Sequence, residues 1–331
     1  MKVYGLAFIK NGEKFDYPYI ESLQSLSPLV EEIYVNVGIC DDGTRENVEK
    51  VKNVKIFDVE WDDNRSDRGH ILSDMTNLVL NKLRREKSGP EDSDSWVIYL
   101  QSDEVIHESE ERMILEDIKR AQELGHDCVR FRYLHFLGSH NKVALHKRWY
   151  PQEIRAIKLQ SDILSLGDAQ TFENYTNPFE SDAHIYHYGH VRDEVAYKQK
   201  MKKFHTYYNS GFHLYRKNLK RLIKDFLRND ELTSFYGDHP KCMQDRIKRI
   251  GGTYIAPEVD EVAIWGDLSN ISSEFIEKIN ARKVLFNQNG KINVYMEKFR
   301  NKASAEYARD WTPEFRLLMA LSDKGVGIKK G

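Results

Sequence analysis

The sequence predicts an α/β fold, a mostly parallel sheet flanked by helices, followed by a mainly helical C-terminal region. Over the first part of the chain, short apolar runs alternate with segments whose apolar residues recur at helical spacing. Strand–helix–strand alternation favours parallel strands joined by right-handed crossovers. After residue 193 the chain becomes locally basic, with Tyr, Phe and Leu at helical spacing. We therefore predict one domain over residues 1–192 and a second region over 193–331.

Four apolar runs predict the parallel strands: Val3 to Ile9, Ile33 to Val37, Val54 to Asp58 and Val97 to Leu100. Pro18 suits the start of a first helix. A polar helix follows the second strand, and apolar residues at helical intervals predict a third helix over residues 70–86. A further helix begins near Glu110 and stops at Gly125. Alternating apolar and basic residues from Val129 onward predict another strand.

The fourth strand ends abruptly in Gln101-Ser102-Asp103-Glu104, followed by a helix-like segment. In open α/β sheets, ligands bind outside the carboxyl ends of the strands. Clustered carboxylates at that edge suit Mg²⁺ or Mn²⁺, which in turn hold phosphates. Two adjacent acids taken alone are more typical of a solvated turn at the end of a strand. The loops after strands one to three would converge on the same edge.

Composition excludes several classes of protein. The 331 residues carry a net charge of −2, which argues against a general nucleic-acid binder. No apolar run approaches the length of a membrane-spanning helix. The three cysteines are widely spaced, which favours a reducing, cytoplasmic setting over a disulfide framework. Neither the Gly-rich dinucleotide fingerprint nor the phosphate-binding loop of nucleoside triphosphatases occurs.

The order of the strand-end motifs resembles family 2 glycosyltransferases of the GT-A fold. The motifs are Asn11-Gly12-Glu13, Asp42-Gly43-Thr44, Thr76-Asn77 and Gln101-Ser102-Asp103-Glu104. Residues 148–172 and 185–192 are similar to the second half of a bacterial branch of that family, so the resemblance covers about residues 1–200. It implies donor-binding roles for Asn11, Glu13, Asn36, Asp42, Asn77, Gln101 and Ser102. Arg68, next to Gly69 in the third loop, and Arg192 are further donor-binding candidates because of their positive charge.

The resemblance implies metal-dependent, inverting transfer of a sugar from a nucleotide-diphosphate donor of the UDP or GDP type. The acceptor would be a hydroxyl of a glycan or a lipid-linked molecule in polysaccharide biosynthesis. The chain departs from the family at two positions. Gln101 replaces the first Asp of the metal motif, which leaves Asp103 as the direct ligand of Mn²⁺ or Mg²⁺. Asn36 stands where an acid often contacts the base.

Asp168, in LSLGDAQTF, is the predicted general base, because it follows a predicted strand and resembles the acceptor-side acid of the family. An Asp that caps a turn is the alternative reading, and Glu153 is the second candidate. His187 is a candidate metal ligand or a hydrogen-bonded core residue. Arg192 suits a phosphate or a surface salt bridge. His135, His140 and His146 lack metal-ligand spacing and are expected in an acceptor loop or at the surface.

Two other functions remain open. A sugar-1-phosphate nucleotidyltransferase would need a Gly-rich N-terminal loop richer in basic residues than Lys10-Asn11-Gly12-Glu13. The other alternative is a non-catalytic nucleotide-sugar-binding or scaffold protein, in which Gln101 would mark the loss of a metal site. The basic stretch over residues 196–250 is either a solvated helix face or a surface for an anionic partner, such as a phosphorylated acceptor or the lipid headgroups of a membrane touched peripherally.

Overall fold

The computed structural model describes residues 1–63, 65, 67–144, 149–193, 195, 196, 199, 200, 203, 232–235 and 237–250, with short strands at 262–263, 285–286 and 292–293. Most of the predicted helical region, and His146, lie outside the described residues. What is described beyond residue 193 contains both helix and strand. The boundary predicted at residue 192 stays a prediction.

Four parallel strands form one side of an eleven-stranded sheet. They are β1 (Val3–Ile9), β2 (Ile33–Gly38), β3 (Val54–Val59) and β4 (Trp96–Leu100), in the spatial order β3-β2-β1-β4. The crossovers contain α1 (Tyr19–Leu26), α2 (Thr44–Val48) and α3 (His70–Glu86). This part confirms the predicted α/β class, a Rossmann-like sheet flanked by helices.

The sheet continues with mixed pairing. Next come β5 (Glu104–Ile106), α4 (Glu111–Glu123), β6 (Cys128–Leu137), β7 (Lys142–Ala144) and β8 (Gln152–Lys158). Strands β9 (Leu164–Leu166) and β10 (Thr171–Glu173) form a separate hairpin, and β11 (Pro178–His190) returns to the main sheet. Strand β8 runs antiparallel to both β4 and β6, whereas β11 is parallel to β6. A strand therefore follows the 101–103 turn directly, and the expected helix begins only at Glu111.

Alternation along β1 shows how the sheet is covered on both faces. Val3, Ala7 and Ile9 belong to a core cluster that includes the buried residues of α1 and α4, whereas Tyr4 and Leu6 belong to one that includes those of α3. Since successive residues of a strand point to opposite faces, both faces of β1 are packed. The carboxyl ends of the strands are therefore the edge left for a site.

Several of the described C-terminal segments join this sheet or pack against it. Strand β12 (Leu232–Phe235) pairs with β7, and β13 (Val262–Ala263) pairs with β12. Met243, just before α5 (Gln244–Ile250), joins Phe235 and residues of β6 and β11 in a third core cluster. Among the described residues, no helix is long and apolar enough to cross a membrane.

Candidate functional site

A cavity of about 260 Å³ lies where the carboxyl ends of β1 and β4 meet β11. Its described lining contains Lys10 and Asn11 after β1, the Gln101–Asp103 turn after β4, and His187 on β11. Asp168, Gln170 and Trp149 also line it. The topology therefore gathers residues that are distant in sequence into one pocket at the predicted edge.

The register of β11 explains how His187 reaches Asp103. Strand β5 begins directly after Asp103 and pairs antiparallel with β11, so that His187 stands opposite Glu104. The backbone N–H of Tyr188 donates to the carbonyl oxygen of Asp103 at 2.8 Å. These backbone contacts hold the turn and the histidine together.

The two oxygens of the Asp103 carboxylate face different groups. Oδ2 lies 3.3 Å from Lys200 Nζ and 3.5 Å from a guanidinium nitrogen of Arg192. Oδ1 lies 3.7 Å from Nε2 of His187. Burial raises the pKa of the Asp103 carboxyl, but the positive charges beside it, that of Lys200 foremost, outweigh burial and hold this pKa below its ordinary value. Asp103 is therefore an anion that faces cations on one oxygen and an imidazole on the other.

Hydrogen bonds determine which nitrogen of His187 carries the proton. His135 Nε2 lies 2.7 Å from the carbonyl oxygen of Tyr150 and must donate to it, because a carbonyl can only accept. Burial lowers the pKa of both histidines, so both rings are neutral at pH 7. The two Nδ1 atoms are 3.1 Å apart, and the bare Nδ1 of His135 accepts from His187. Nε2 of His187 therefore keeps its lone pair on the side of Asp103.

Gly189 leaves room beside the side chains of Asp103 and His187. A Cβ atom at position 189 would lie 2.7 Å from both Asp103 Oδ2 and His187 Nε2, which is closer than real Cβ atoms approach. Any larger residue would therefore displace one of the two side chains.

Asp103 Oδ1 and His187 Nε2 fit a divalent ion as a pair of ligands. Metal–oxygen bonds of about 2.1 Å put neighbouring ligand atoms about 3 to 4 Å apart. Among the described residues, no group of three or more His, Cys, Asp or Glu side chains could hold a metal ion. An ion here would therefore take its other ligands from water and substrate phosphates, as Mg²⁺ usually does.

Glu104, in contrast, belongs to the core. Its carboxylate is fully buried and accepts two hydrogen bonds from Arg155, each of 2.8 Å, and a third of 2.8 Å from Tyr133. Burial lowers the pKa of the Arg155 guanidinium, but Glu104 outweighs burial and the pKa lies well above its ordinary value. This bidentate pair ties β5 to β8 beneath the cavity.

Gln101 connects the turn that contains Asp103 to the loop that carries Asp168. Its side-chain amide donates to the carbonyl oxygen of Ala169 at 2.9 Å, and the Tyr99 hydroxyl donates to the same oxygen at 3.2 Å. Ala169 has a positive φ of 63°, and this bonding stabilises the turn between β9 and β10. A carboxylate at position 101 would repel that carbonyl, so the amide has a physical reason to be there.

Glu153, the second candidate base, is not among the described residues that line the cavity. Its Oε1 accepts a hydrogen bond of 2.7 Å from Gln170, which does line it. Burial raises the pKa of the Glu153 carboxyl, although Arg155 acts in the opposite direction.

Several predicted donor-binding residues make internal contacts instead of lining the cavity. Asp42 accepts from the hydroxyl of Thr44 at 2.6 Å, and Asn77 exchanges two hydrogen bonds with the backbone of Ser165. Glu13 accepts from Tyr19, and Arg68 is exposed with a φ of 63°. Their donor-binding roles stay predictions.

Asn36 is fully buried between two partners. Its amide donates to the carbonyl oxygen of Met75 at 2.9 Å, and its Oδ1 accepts from the indole of Trp61 at 3.2 Å. Trp61 lines the cavity together with Phe8, and their ring centroids are 5.7 Å apart. Asn36 therefore orients an aromatic wall of the cavity.

Arg192 lies behind the cavity wall. Its guanidinium donates to the carbonyl oxygens of Phe15 at 2.8 Å and Gly189 at 2.6 Å, and it stacks 4.4 Å from the ring of Tyr17. The alternative of a surface salt bridge is wrong, since the residue is buried. Ser102 lines the cavity and donates to the carbonyl oxygen of Phe8 at 2.7 Å.

Five residues have positions that the sequence did not predict. His135 and His140 are buried, so the surface alternative is wrong for both, and His135 lies on β6, not in a loop. Trp61 was not singled out, although an aromatic residue two positions after a strand was a usable signal. Lys200 and Lys203 were seen only as part of a basic stretch, yet both line the cavity.

No protein-family model matches the chain, and no curated protein does. Among solved structures, S. aureus TarS 1-349 is 14% identical, with 76% of this chain and 83% of that chain covered and a TM-score of 0.36. Against a longer TarS structure, the coverage is 69% of this chain and 44% of that chain, so the chain spans less than half of that protein.

Two further structures are comparably distant. A candidate nucleotide-diphospho-sugar transferase from Desulfovibrio desulfuricans is 15% identical, with 68% of this chain and 99% of that chain covered and a TM-score of 0.33. Mannosyltransferase PcManGT from Pyrobaculum calidifontis, in complex with GDP-Man and Mn²⁺, is 11% identical, with 76% and 69% covered and a TM-score of 0.33. At these identities and TM-scores, the likenesses say nothing about the activity of this chain.

Proposed function

We propose that this protein is a nucleotide-diphospho-sugar transferase, and more narrowly a metal-dependent, inverting glycosyltransferase. The observation that carries the proposal is the meeting of Asp103, His187 and Asp168 in one cavity at the carboxyl edge of a parallel sheet. Such a cavity offers a pair of metal ligands, basic side chains for a diphosphate and a separate carboxylate for a proton.

The donor would lie along the groups that line the cavity. Phe8 and Trp61 offer an aromatic surface on which a nucleobase can stack. Lys10 lies beside this wall, with Nζ 5.9 Å from the Trp61 ring centroid. Asp103 and His187 would hold the divalent ion, which supplies positive charge close to the diphosphate when bound. The base and the sugar are left to experiment.

The proposed reaction is a single displacement at the anomeric carbon. The oxygen of an acceptor hydroxyl attacks from the face opposite the diphosphate, and its proton passes to the carboxylate of Asp168. The bond between the anomeric carbon and the diphosphate oxygen breaks, and its electron pair leaves with the diphosphate. Because one bond forms on the side opposite the one that breaks, the configuration inverts.

Gln101 contributes by positioning. Its hydrogen bond to Ala169 holds the residue next to Asp168. The distance between the turn that contains Asp103 and the loop that contains Asp168 is therefore fixed.

The acceptor and the setting belong to the same proposal. A glycan or lipid-linked hydroxyl would enter on the side of Trp149 and Asp168, which line the cavity. The three cysteines are free, which is consistent with a cytoplasmic location. Peripheral contact with a membrane rests on the basic composition of residues 196–250 alone.

The test is binding and hydrolysis of nucleotide sugars. A panel of UDP- and GDP-sugars with Mn²⁺ is screened by thermal shift, and release of nucleoside diphosphate is then followed for the donor that binds. We expect Asp168→Asn to bind that donor normally and to lose most of the release. Glu173→Gln, a carboxylate outside the described lining, is the matched control. If no nucleotide sugar binds the wild-type protein, the proposal is wrong.

A further inference from the structure

We propose that Lys200 and Lys203 bind the diphosphate of the donor, so that the chain beyond residue 193 completes the donor site. This inference rests on the proposed function and assigns its leaving-group contacts. Both lysines line the cavity, and each is in a helical conformation.

Lys200 is held deep in the site. The residue is buried, and its ammonium donates to Asp103 Oδ2 at 3.3 Å and to the carbonyl oxygen of Gly189 at 3.2 Å. The Nζ atom also lies 4.8 Å from the ring centroid of Tyr17. Burial and the charge of Arg192 lower the pKa of Lys200 to about 7, because a buried ammonium is costly unless its charge is compensated. Here the compensating oxygen is shared with Arg192, whose guanidinium lies 3.5 Å from it.

The same pattern recurs around Asp63. Its carboxylate lies 2.8 Å from Lys10 Nζ and 3.1 Å from Lys203 Nζ, so two ammonium groups again share one acid. The Lys10 side chain is 9% exposed and that of Lys203 is 27% exposed, whereas Asp63 is 44% exposed. The acid is thus the member of this group most accessible to water, and the lysines line the cavity.

The side chains that line the described part of the cavity carry more positive than negative charge, which favours the binding of an anion. Three lysines, Lys10, Lys200 and Lys203, line the cavity with two carboxylates, Asp103 and Asp168. Arg192 adds a further positive charge directly behind Asp103. A divalent ion at Asp103 would raise this positive charge, and a ligand with several negative charges would compensate it. A diphosphate has that charge, and lysine binds phosphate as a point charge.

These lysines would also act during the reaction. Negative charge grows on the diphosphate as its bond to the sugar breaks, and cations close to it in a cavity shielded from water stabilise that charge. Lys200 can turn from Asp103 to a phosphate oxygen because its ammonium has three donors on a flexible stem. Part of the charge stabilisation would then come from the chain itself and persist when the divalent ion is removed.

The test is calorimetric binding in EDTA, with inorganic pyrophosphate, UDP and GDP as probes. We expect the wild-type protein to bind pyrophosphate and a nucleoside diphosphate under these conditions. Lys200→Met and Lys203→Met should each weaken this binding about 10- to 100-fold, the range for a hydrogen bond to a charged group. Affinity for uridine or guanosine should not change. Lys248→Met, at a side chain 75% exposed on α5, is the matched control.

Three outcomes distinguish a failure of the lysine inference from a failure of the proposed function. If wild-type protein binds a nucleoside diphosphate only with Mn²⁺, and Lys200→Met binds it equally well, the lysine inference is wrong while the proposed function stands. If no nucleoside diphosphate binds with either EDTA or Mn²⁺, the proposed function fails and the inference with it. Thermal unfolding by circular dichroism verifies that each variant is folded. If Lys200→Met does not fold, the more exposed Lys203→Met decides, and unchanged pyrophosphate affinity there overturns the inference.

Discussion

Nε2 of His187 faces Oδ1 of Asp103 at 3.7 Å, too far apart for a hydrogen bond and with a lone pair on each atom. The hydrogen bond between His187 and His135 imposes this arrangement, and the missing side chain at Gly189 leaves space for it. Two facing lone pairs are unfavourable until a proton or a cation lies between them. Under the proposed function, a divalent ion would lie between these two atoms.

Removal of either proposed metal ligand should weaken metal binding. We expect Asp103→Asn and His187→Gln each to weaken Mn²⁺ affinity, measured by calorimetry with saturating nucleoside diphosphate, at least about tenfold. Asp94→Asn, an exposed acid near the start of β4, is the control. Equal Mn²⁺ affinity in wild type and His187→Gln would show that the imidazole is no ligand.

Glu104 should prove structural. Glu104→Gln leaves the guanidinium of Arg155 buried without its anion, so the free energy of unfolding should fall by about 3–5 kcal/mol. Urea denaturation measures this loss. Glu116→Gln, which removes an ion pair whose Glu side chain is 62% exposed, should change stability by less than about 1 kcal/mol. A fully stable Glu104→Gln protein would contradict the role given to this pair.

Trp61 should contribute to base binding but not to diphosphate binding. Loss of one base–aromatic stack costs about 1–3 kcal/mol, so Trp61→Ala should weaken nucleoside diphosphate binding roughly 5- to 150-fold. Affinity for inorganic pyrophosphate should stay the same in a parallel titration. If both ligands lose affinity equally, Trp61 supports the cavity as a whole and does not stack on the base.

Stability should fall as the pH falls from about 6.5 to 4. Burial lowers the pKa of His140 from 6.5 to about 4 and that of His239 from 6.5 to about 3. In this range the unfolded chain binds protons that the folded protein does not, so unfolding becomes more favourable by about 1.4 kcal/mol per pH unit for each group.

Urea denaturation at pH 7, 6 and 5 measures the slope. His239→Gln removes one of the buried histidines with a lowered pKa and should make the slope shallower, whereas the exposed His70→Gln should leave it unchanged. An identical slope in wild type and His239→Gln would contradict the assignment.

Much of the first half of the fold was predictable because its signals are local. The apolar runs of β1, β2 and β4 and the helical spacing within α3 are fixed by neighbouring residues, and the structure confirms them. The pairing of β11 with β5 depends on contacts about eighty residues apart, so the sequence could suggest His187 but not its partner.

The contacts that the site residues make inside the protein were harder to predict from the sequence. Gln101 looked like a loss of a metal ligand, and only the carbonyl of Ala169 explains the amide. Lys200 belongs to a basic stretch in which most lysines would be expected in water, and burial alone distinguishes it. A periodic pattern reports which residues share a face, but not which charged side chain enters a cavity.

The most direct test of the account is a crystal structure of the wild-type protein with Mn²⁺ and the nucleotide sugar that binds best. We predict the metal between Asp103 and His187, the diphosphate against Lys200, and the Asp168 carboxylate on the face of the sugar opposite the diphosphate. A nucleotide bound elsewhere on the protein, with this cavity empty, would contradict the account.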